Sequence, residues 1–194
     1  MSMRWWTLVN SCSGKSSDGS SHSCSKQSMD LLISAARKRS RGPFLDPPVL
    51  FRPNLMVGPG MFLHPQAVFA TGITHVINVG EAEAAPEWVK RAFGSRYTHL
   101  PIADDDKTQL MSVYPKFEQT LIKYMNDPSA KMIYVHCMAG MNRSASLTTM
   151  FVVKHTRLPL EAVMLHALRV RPCMYANPSF NAQLVEFAKK HVKK

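Results

Sequence analysis

Apolar residues along this chain follow two patterns, short continuous runs and helical spacing, which alternate over most of its length. Short segments rich in apolar and β-branched residues predict strands at residues 49–51, 55–57, 73–79, 97–102 and 131–135. Stretches with apolar side chains three or four positions apart predict helices at residues 112–125, 144–154, 160–168 and 180–188. Because strands alternate with helices before helices follow one another, we expect an α/β fold whose central, mostly parallel sheet is flanked by helices.

The N-terminal residues 1–46 differ from the rest of the chain in composition. Residues 11–29 are mostly serine with other small or polar residues, a composition that predicts disorder, and residues 30–36 predict at most a short helical turn. A basic run at 37–41 follows, which fits a solvated linker, a nuclear address or an anion-binding patch. We therefore expect a disordered, Ser-rich basic tail at 1–46 and one folded domain at 47–192.

Composition narrows the classes of function only partly. The chain has 194 residues and a net charge of +11, which attracts nucleic acid, anionic membranes and phosphorylated ligands alike. No apolar run approaches the roughly 20 residues of a membrane-spanning helix, and the N-terminus does not resemble a signal peptide. The four cysteines show no staple-like pattern, which agrees with a reducing compartment, so we expect a cytoplasmic or nuclear location. Cys12, His22 and Cys24 fit no standard zinc spacing, and we expect no metal and no cofactor.

The segment 136–144 joins a predicted buried strand to a predicted buried helix. A loop in that place directs successive backbone N–H groups at one point, next to the positive end of the helix dipole, and this makes an anion site. Gly140 supplies the positive φ that such a tight loop often requires. The residues expected to bind the anion are Met138, Ala139, Gly140, Met141, Asn142 and Arg143.

Cys137 stands at the end of the strand, where the loop amides, the helix and Arg143 favour its thiolate. A thiolate attacks phosphorus without a separate base, and the guanidinium of Arg143 matches two phosphate oxygens. The leaving oxygen needs a proton, and Asp104, Asp105 and Asp106, just after a predicted strand, are the candidate donors. The residues thus predict hydrolysis of phosphate monoesters through a phosphocysteine.

The chain resembles the small dual-specificity phosphatases of the cysteine-dependent protein tyrosine phosphatase superfamily over most of residues 47–192. The signature His-Cys, five residues, Arg-Ser stands at 136–144, in order with blocks that resemble the family's at 52–58, 72–79, 102–114 and 177–184. A lone Cys-x5-Arg would be a weak signal, whereas the ordered set is specific. The resemblance implies the fold of that superfamily and hydrolysis of phosphotyrosine and of phosphoserine or phosphothreonine in phosphorylated proteins.

The resemblance also implies individual roles. Cys137 matches the nucleophile, Arg143 the phosphate-binding arginine, and Ser144 the hydroxyl that assists breakdown of the phosphocysteine. His136 matches the residue that helps to keep the cysteine ionised. Asp104 matches the general acid, because it stands six residues before the apolar anchor of the following helix, and the register therefore favours it over its neighbours.

Asn142 departs from the pattern, since many dual-specificity members have serine before the arginine. Asparagine at this place also occurs in the RNA 5′-triphosphatases of the superfamily, so RNA is the alternative substrate and partner. A non-catalytic phosphate-binding module is a further alternative, disfavoured because nucleophile, arginine and candidate acid are all present. Oligomeric state is not readable from the sequence.

Overall fold

A five-stranded sheet forms the centre of the computed structural model, which describes residues 26–81 and 85–192. The strands are β1 (Val49–Arg52), β2 (Leu55–Pro59), β3 (Ile73–Asn78), β4 (Tyr97–His99) and β5 (Met132–Cys137). Their spatial order is β1-β2-β5-β3-β4. The pair β1 and β2 is antiparallel and the other neighbours are parallel, which confirms the predicted α/β fold with a mostly parallel sheet.

Helices cover both faces of this sheet. They are α1 (Lys26–Arg37), α2 (Pro65–Thr71), α3 (Glu87–Phe93), α4 (Leu110–Met125), α5 (Arg143–Thr156), α6 (Leu160–Val170) and α7 (Pro178–His191), with 3₁₀ turns at Gly60–Phe62 and Gly94–Arg96. The four helices predicted from spacing correspond to α4–α7, whereas the two-turn helices α2 and α3 are too short to show a clear period. None of the helices within 26–81 and 85–192 combines the length and the apolar character needed to cross a membrane.

Strand β5 and helix α5 place the predicted anion loop in the middle of the domain. Alternation along β5 directs Ile133, Val135 and Cys137 into the main core, and Tyr134 into a smaller core on the opposite face of the sheet. Helix α5 is buried along its whole length up to Val153, which confirms the predicted central helix. The loop between these two elements is consequently anchored at both ends by core packing.

The predicted disorder of the N-terminal part is wrong for the residues that the structure describes there. Met29, Ile33 and Ala36 lie on one face of α1 and are buried in the main core. Downstream of the helix, the buried carboxylate of Asp46 accepts hydrogen bonds from the Ser40 hydroxyl at 2.6 Å and from the backbone N–H of Arg41. Residues 26–46 are therefore part of the folded domain, and the expected domain start at 47 is corrected. The rest of the predicted tail, residues 1–25, lies outside the described residues.

Candidate active site

The phosphate loop, residues 137–143, holds its backbone carbonyls turned outward. The carbonyl of Met138 accepts a hydrogen bond from the N–H of Gly60 at 3.0 Å, and that of Met141 accepts one from Tyr175 at 2.9 Å. The two carbonyls between them accept from a guanidinium described below. In a trans peptide unit the N–H points away from the C=O. The N–H groups of residues 139–142 are therefore directed inward, and this arrangement makes an anion cradle.

Gly140 permits the close packing of this loop. Its φ is +60°, the left-handed region that glycine adopts without strain, as the sequence predicts. A Cβ atom at this position would overlap the backbone of Gly58 at the end of β2. Any other residue at 140 would strain the backbone and also separate the loop from β2.

The guanidinium of Arg171 holds the loop from behind and was not identified from the sequence. Arg171 is completely buried, and it donates from Nε to the carbonyl of Gly140 at 3.0 Å and from Nη2 to that of Ala139 at 2.7 Å. Its other N–H groups bond the carbonyls of Pro43, Asp46 and Pro47. One buried cation thus connects the phosphate loop to the segment after α1.

Cys137 lies at the floor of the cradle. The residue is 1% exposed, and its Sγ lies 3.4 Å from the Oγ of Ser144 in the first turn of α5. The hydroxyl can therefore donate to a thiolate or accept from a thiol. The structure places Ser144 beside the sulfur, where the role implied by the resemblance requires it.

The guanidinium of Arg143 uses some of its N–H donors within the protein and leaves one without a hydrogen bond to a described residue. Its Nη1 donates to the carbonyl of Ile102 at 3.0 Å, and the side chain is 8% exposed. Among the described residues its Nε has no hydrogen-bond partner, although the Oδ2 of Asp104 lies 3.5 Å away. A buried N–H without a partner is costly, so a phosphate oxygen would stabilise this group on binding.

The three adjacent aspartates point to different places. Asp104 lies beside Arg143 and accepts from the side-chain amides of Asn142 and Asn177. The carboxylate of Asp105 is occupied within its own loop, where hydrogen bonds from Thr108 hold its pKa below the usual value. Asp106 contributes a backbone carbonyl, which accepts from Ser179. Of the three, Asp104 is the carboxylate that the structure brings to the phosphate loop.

His136 lies below the nucleophile as a neutral ring. It is fully buried, and burial lowers its pKa from 6.5 to about 4. Its Nδ1 lies 3.1 Å from the carbonyl of Cys137, which can only accept, so Nδ1 carries the proton. Any effect of His136 on the sulfur thus passes through this hydrogen bond to the backbone rather than through a positive charge.

Cys173 and possible metal ligands were the other candidates that the sequence offered. Burial raises the pKa of Cys173 to about 11, so this thiol stays protonated at neutral pH. Within the described residues no group of three or more His, Cys, Asp or Glu side chains could hold a metal ion. The zinc arrangement considered for Cys12, His22 and Cys24 lies outside those residues.

Comparisons with known proteins agree with this geometry. The family model "Dual specificity phosphatase, catalytic domain" matches residues 62–190. Human dual specificity protein phosphatase 2 is 28% identical over 157 residues, which cover 78% of this chain and 48% of the relative. Human dual specificity phosphatase 28 is 25% identical over 154 residues, which cover 79% of this chain and 84% of the relative.

Solved structures share the fold. The human tyrosine phosphatase-like serine/threonine/tyrosine-interacting protein superposes with a TM-score of 0.64 at 21% identity, covering 75% of this chain and 98% of that one. The chain spans between 27% and 48% of the length of three curated relatives that it matches, human dual specificity protein phosphatase 2 among them. The family model nevertheless covers about two thirds of the chain, including the whole phosphate loop, Asp104 and Arg171. The chain belongs to the dual specificity phosphatase catalytic domain family.

Proposed function

We propose that this chain is a protein phosphatase that hydrolyses phosphotyrosine and phosphoserine or phosphothreonine through a phosphocysteine intermediate. The observation that carries the proposal is the convergence of three groups on one cradle: the buried sulfur of Cys137, the Nε of Arg143, which makes no hydrogen bond to a described residue, and the carboxylate of Asp104. Membership of a family of protein phosphatases supports the class of substrate.

In the first step the Cys137 thiolate attacks phosphorus. A sulfur–phosphorus bond forms while the bond from phosphorus to the ester oxygen breaks. The inward amides of residues 139–142 and the guanidinium of Arg143 stabilise the charge on the non-bridging oxygens in the transition state. Asp104, in its protonated form, gives its proton to the departing oxygen, which leaves as an alcohol or phenol.

In the second step a water molecule attacks the phosphorus of the phosphocysteine. The Asp104 carboxylate accepts a proton from this water, the sulfur–phosphorus bond breaks, and inorganic phosphate is released. The thiolate that departs is stabilised by the hydroxyl of Ser144, whose Oγ lies 3.4 Å from the sulfur. Atoms and charge balance without any further reactant.

The open rim of the cradle supports hydrolysis of more than one kind of phosphoamino acid. Met138, directly after Cys137, is 48% exposed, and Asp104 is 26% exposed, so the rim of the cradle is open to solvent. An open rim admits a short phosphoserine or phosphothreonine as well as the longer phosphotyrosine.

Replacement of the nucleophile tests the proposal. Cys137→Ser should abolish turnover of a phosphotyrosine peptide, since a serine hydroxyl stays protonated and is a poor nucleophile at neutral pH. Binding of the peptide, measured by calorimetry, should persist because the cradle is made by backbone amides. Cys173→Ser is the matched control and should keep turnover near that of the wild type. Substantial activity of Cys137→Ser would exclude Cys137 as nucleophile.

A substrate panel tests the choice of protein over RNA. The wild type should hydrolyse phosphopeptides far better than it releases the γ-phosphate of RNA with a 5′-triphosphate end. Efficient release from RNA, with affinity that falls steeply as salt increases and with negligible peptide activity, would establish the RNA 5′-triphosphatase instead. Binding of phosphopeptides by the wild type without any turnover would establish a non-catalytic phosphate-binding module.

A further inference from the structure

We propose that Asn142 is a positioning residue that fixes the general acid Asp104 over the phosphate loop. The proposal rests on the proposed function and adds a second role to a residue whose backbone N–H belongs to the cradle.

The side chain of Asn142 does not do what its place in the chain favours. Asn142 is the N-cap residue of α5, and asparagine is among the best N-cap residues because its side chain can accept from the free N–H groups of the first turn. Here the side chain makes no capping bond, with φ at −113° and ψ at −76°. The first N–H groups of α5 are thereby left for an anion, and the amide is directed elsewhere.

Both ends of this amide are assigned by their partners. Its Oδ1 accepts from the backbone N–H of Ala176 at 2.7 Å and of Asn177 at 3.0 Å. Since those two partners can only donate, Oδ1 must face them and Nδ2 must face Asp104. The Nδ2 group lies 3.2 Å from Oδ1 and 3.1 Å from Oδ2 of that carboxylate. The orientation of the amide thus follows from its surroundings.

A second amide completes the arrangement. The Nδ2 of Asn177 donates to the Oδ1 of Asp104 at 3.0 Å and to the carbonyl of Asp105 at 3.1 Å. Its own Oδ1 caps α7 by accepting from the N–H groups of Ser179 and Phe180. Each amide is therefore held at its oxygen end by backbone N–H groups and offers its nitrogen end to the carboxylate.

The consequence is a fixed place for a carboxylate that stands on an exposed loop. The loop that carries Asp104 has little burial of its own, because residues 103–107 are all exposed. A displacement of about 1 Å in a reacting group can cost about 100-fold in rate. Loss of Asn142 should therefore slow the step in which a proton reaches a poor leaving group more than any step that needs no proton.

The test compares two substrates across four proteins: wild type, Asn142→Ala, Asp104→Asn and the double variant. With a phosphotyrosine peptide, whose leaving group needs the proton, kcat/KM of Asn142→Ala should fall about 10-fold more than with an aryl phosphate whose leaving group is a weak base, because kcat/KM reports the first step and not the hydrolysis of the phosphocysteine that both substrates share. In the Asp104→Asn background the same substitution should lose this leaving-group dependence, since no acid remains to be positioned. Asn126→Ala, an exposed asparagine at the end of α4, is the matched control and should show no such difference.

A second variant separates positioning from folding. Asn142→Asp keeps an acceptor for the N–H groups of Ala176 and Asn177 but replaces the donor to Asp104 by an oxygen that repels it. If Asn142 were only structural, Asn142→Asp would show the same ratio of kcat/KM on the peptide to kcat/KM on the aryl phosphate as the wild type. If it positions the acid, the ratio should fall at least as far as in Asn142→Ala, while orthovanadate still raises the Tm of both variants.

The outcomes are distinct. A uniform loss on both substrates, or a loss that persists unchanged in the Asp104→Asn background, would overturn the positioning role of Asn142. The proposed phosphatase function of the wild type would stand in either case. A wild type that hydrolyses neither substrate would contradict the proposed function and, with it, this role.

Discussion

The phosphate loop and the acid loop, residues 101–109, lie side by side at Arg143 but are held in different ways. The phosphate loop is fixed by backbone N–H groups and by the buried Arg171. The acid loop is exposed over most of its length and is held by side chains on other elements: Asn142, Asn177, Ser179 and Gln183. The loop that binds the anion is thus fixed by buried contacts within the core, whereas the loop that carries the general acid is fixed by side chains of neighbouring elements near the surface.

This difference fits the two tasks. A cradle for a transition state works best when its dipoles need no reorganisation during the reaction, which demands a rigid, buried backbone. A general acid changes its protonation state in every turnover and needs contact with water, which an exposed loop provides. Substitutions in the two loops should consequently differ in whether their effects depend on the leaving group.

After replacement of the nucleophile, the largest effect is expected for Arg143→Lys, because Arg143 contacts both loops. Lysine keeps the charge but cannot donate from Nε and Nη1 in one rigid fork, so kcat/KM should fall about 1000-fold for every phosphate ester. Steady-state kinetics on a phosphopeptide and on an activated aryl phosphate measure it. Arg91→Lys, an exposed arginine on α3, is the control. Near-normal kinetics for Arg143→Lys would mean that phosphate binds elsewhere.

In the acid loop, Asp104→Asn should give an effect that depends on the leaving group. The value of kcat/KM, which reports the first step, should fall about 100-fold for phosphopeptides and less than about 5-fold for an activated aryl phosphate. Asp105→Asn is the matched neighbour, since its carboxylate accepts hydrogen bonds from Lys107 and Thr108 within its own loop. If Asp105→Asn gave the selective defect and Asp104→Asn did not, the assignment of the acid would be wrong by one residue.

Behind the phosphate loop, Arg171→Lys should slow both substrate classes equally, by about 10-fold. A lysine in place of this buried guanidinium cannot reach both loop carbonyls and the carbonyls after α1, so the cradle loosens while the acid stays in place. Leaving buried carbonyls without partners should also lower the free energy of unfolding by about 2 kcal/mol. A defect confined to poor leaving groups would show that Arg171 acts on the acid loop instead.

The phosphate loop could be predicted from the sequence alone, whereas the contacts that hold it in place could not. Cys137, Gly140 and Arg143 occur within seven positions, in a strand–loop–helix whose ends are marked by apolar runs, so local pattern was sufficient. Arg171 has partners 31 to 128 positions away in the chain, and all of them are backbone carbonyls, which carry no signature in the residue types. The contact of Asn142 with Asp104 spans 38 positions and was missed for the same reason.

Helix α1 was predicted only as a short turn at residues 30–36, for a different reason. Met29, Ile33 and Ala36 stand at helical spacing, and this signal was available in the sequence. The serine-rich composition around it outweighed three apolar positions, and nothing local shows that α6 and α7 leave a surface for them. Packing against distant elements, rather than local propensity, stabilises such a helix.

The smallest effect should appear in the pH dependence of stability, and it separates the two loops again. His136, buried beneath the phosphate loop, has a pKa of about 4 in the folded protein against 6.5 as the ordinary value. Between these values the unfolded chain binds more protons than the folded one, so stability is complete above about pH 6.5 and declines as the pH falls towards 4. The full shift corresponds to at most about 3 kcal/mol. In the acid loop, Thr108 lowers the pKa of the exposed Asp105, whose contribution to stability is lost only at lower pH, below the ordinary value of 3.8.

Urea unfolding tests the role of His136. Between about pH 7 and about pH 5 the free energy of unfolding of the wild type should therefore fall by more than about 1 kcal/mol. The fall should be smaller in His136→Asn, which keeps a donor near the Cys137 carbonyl but cannot titrate. Equal falls in both proteins would show that His136 does not stay neutral in the folded state.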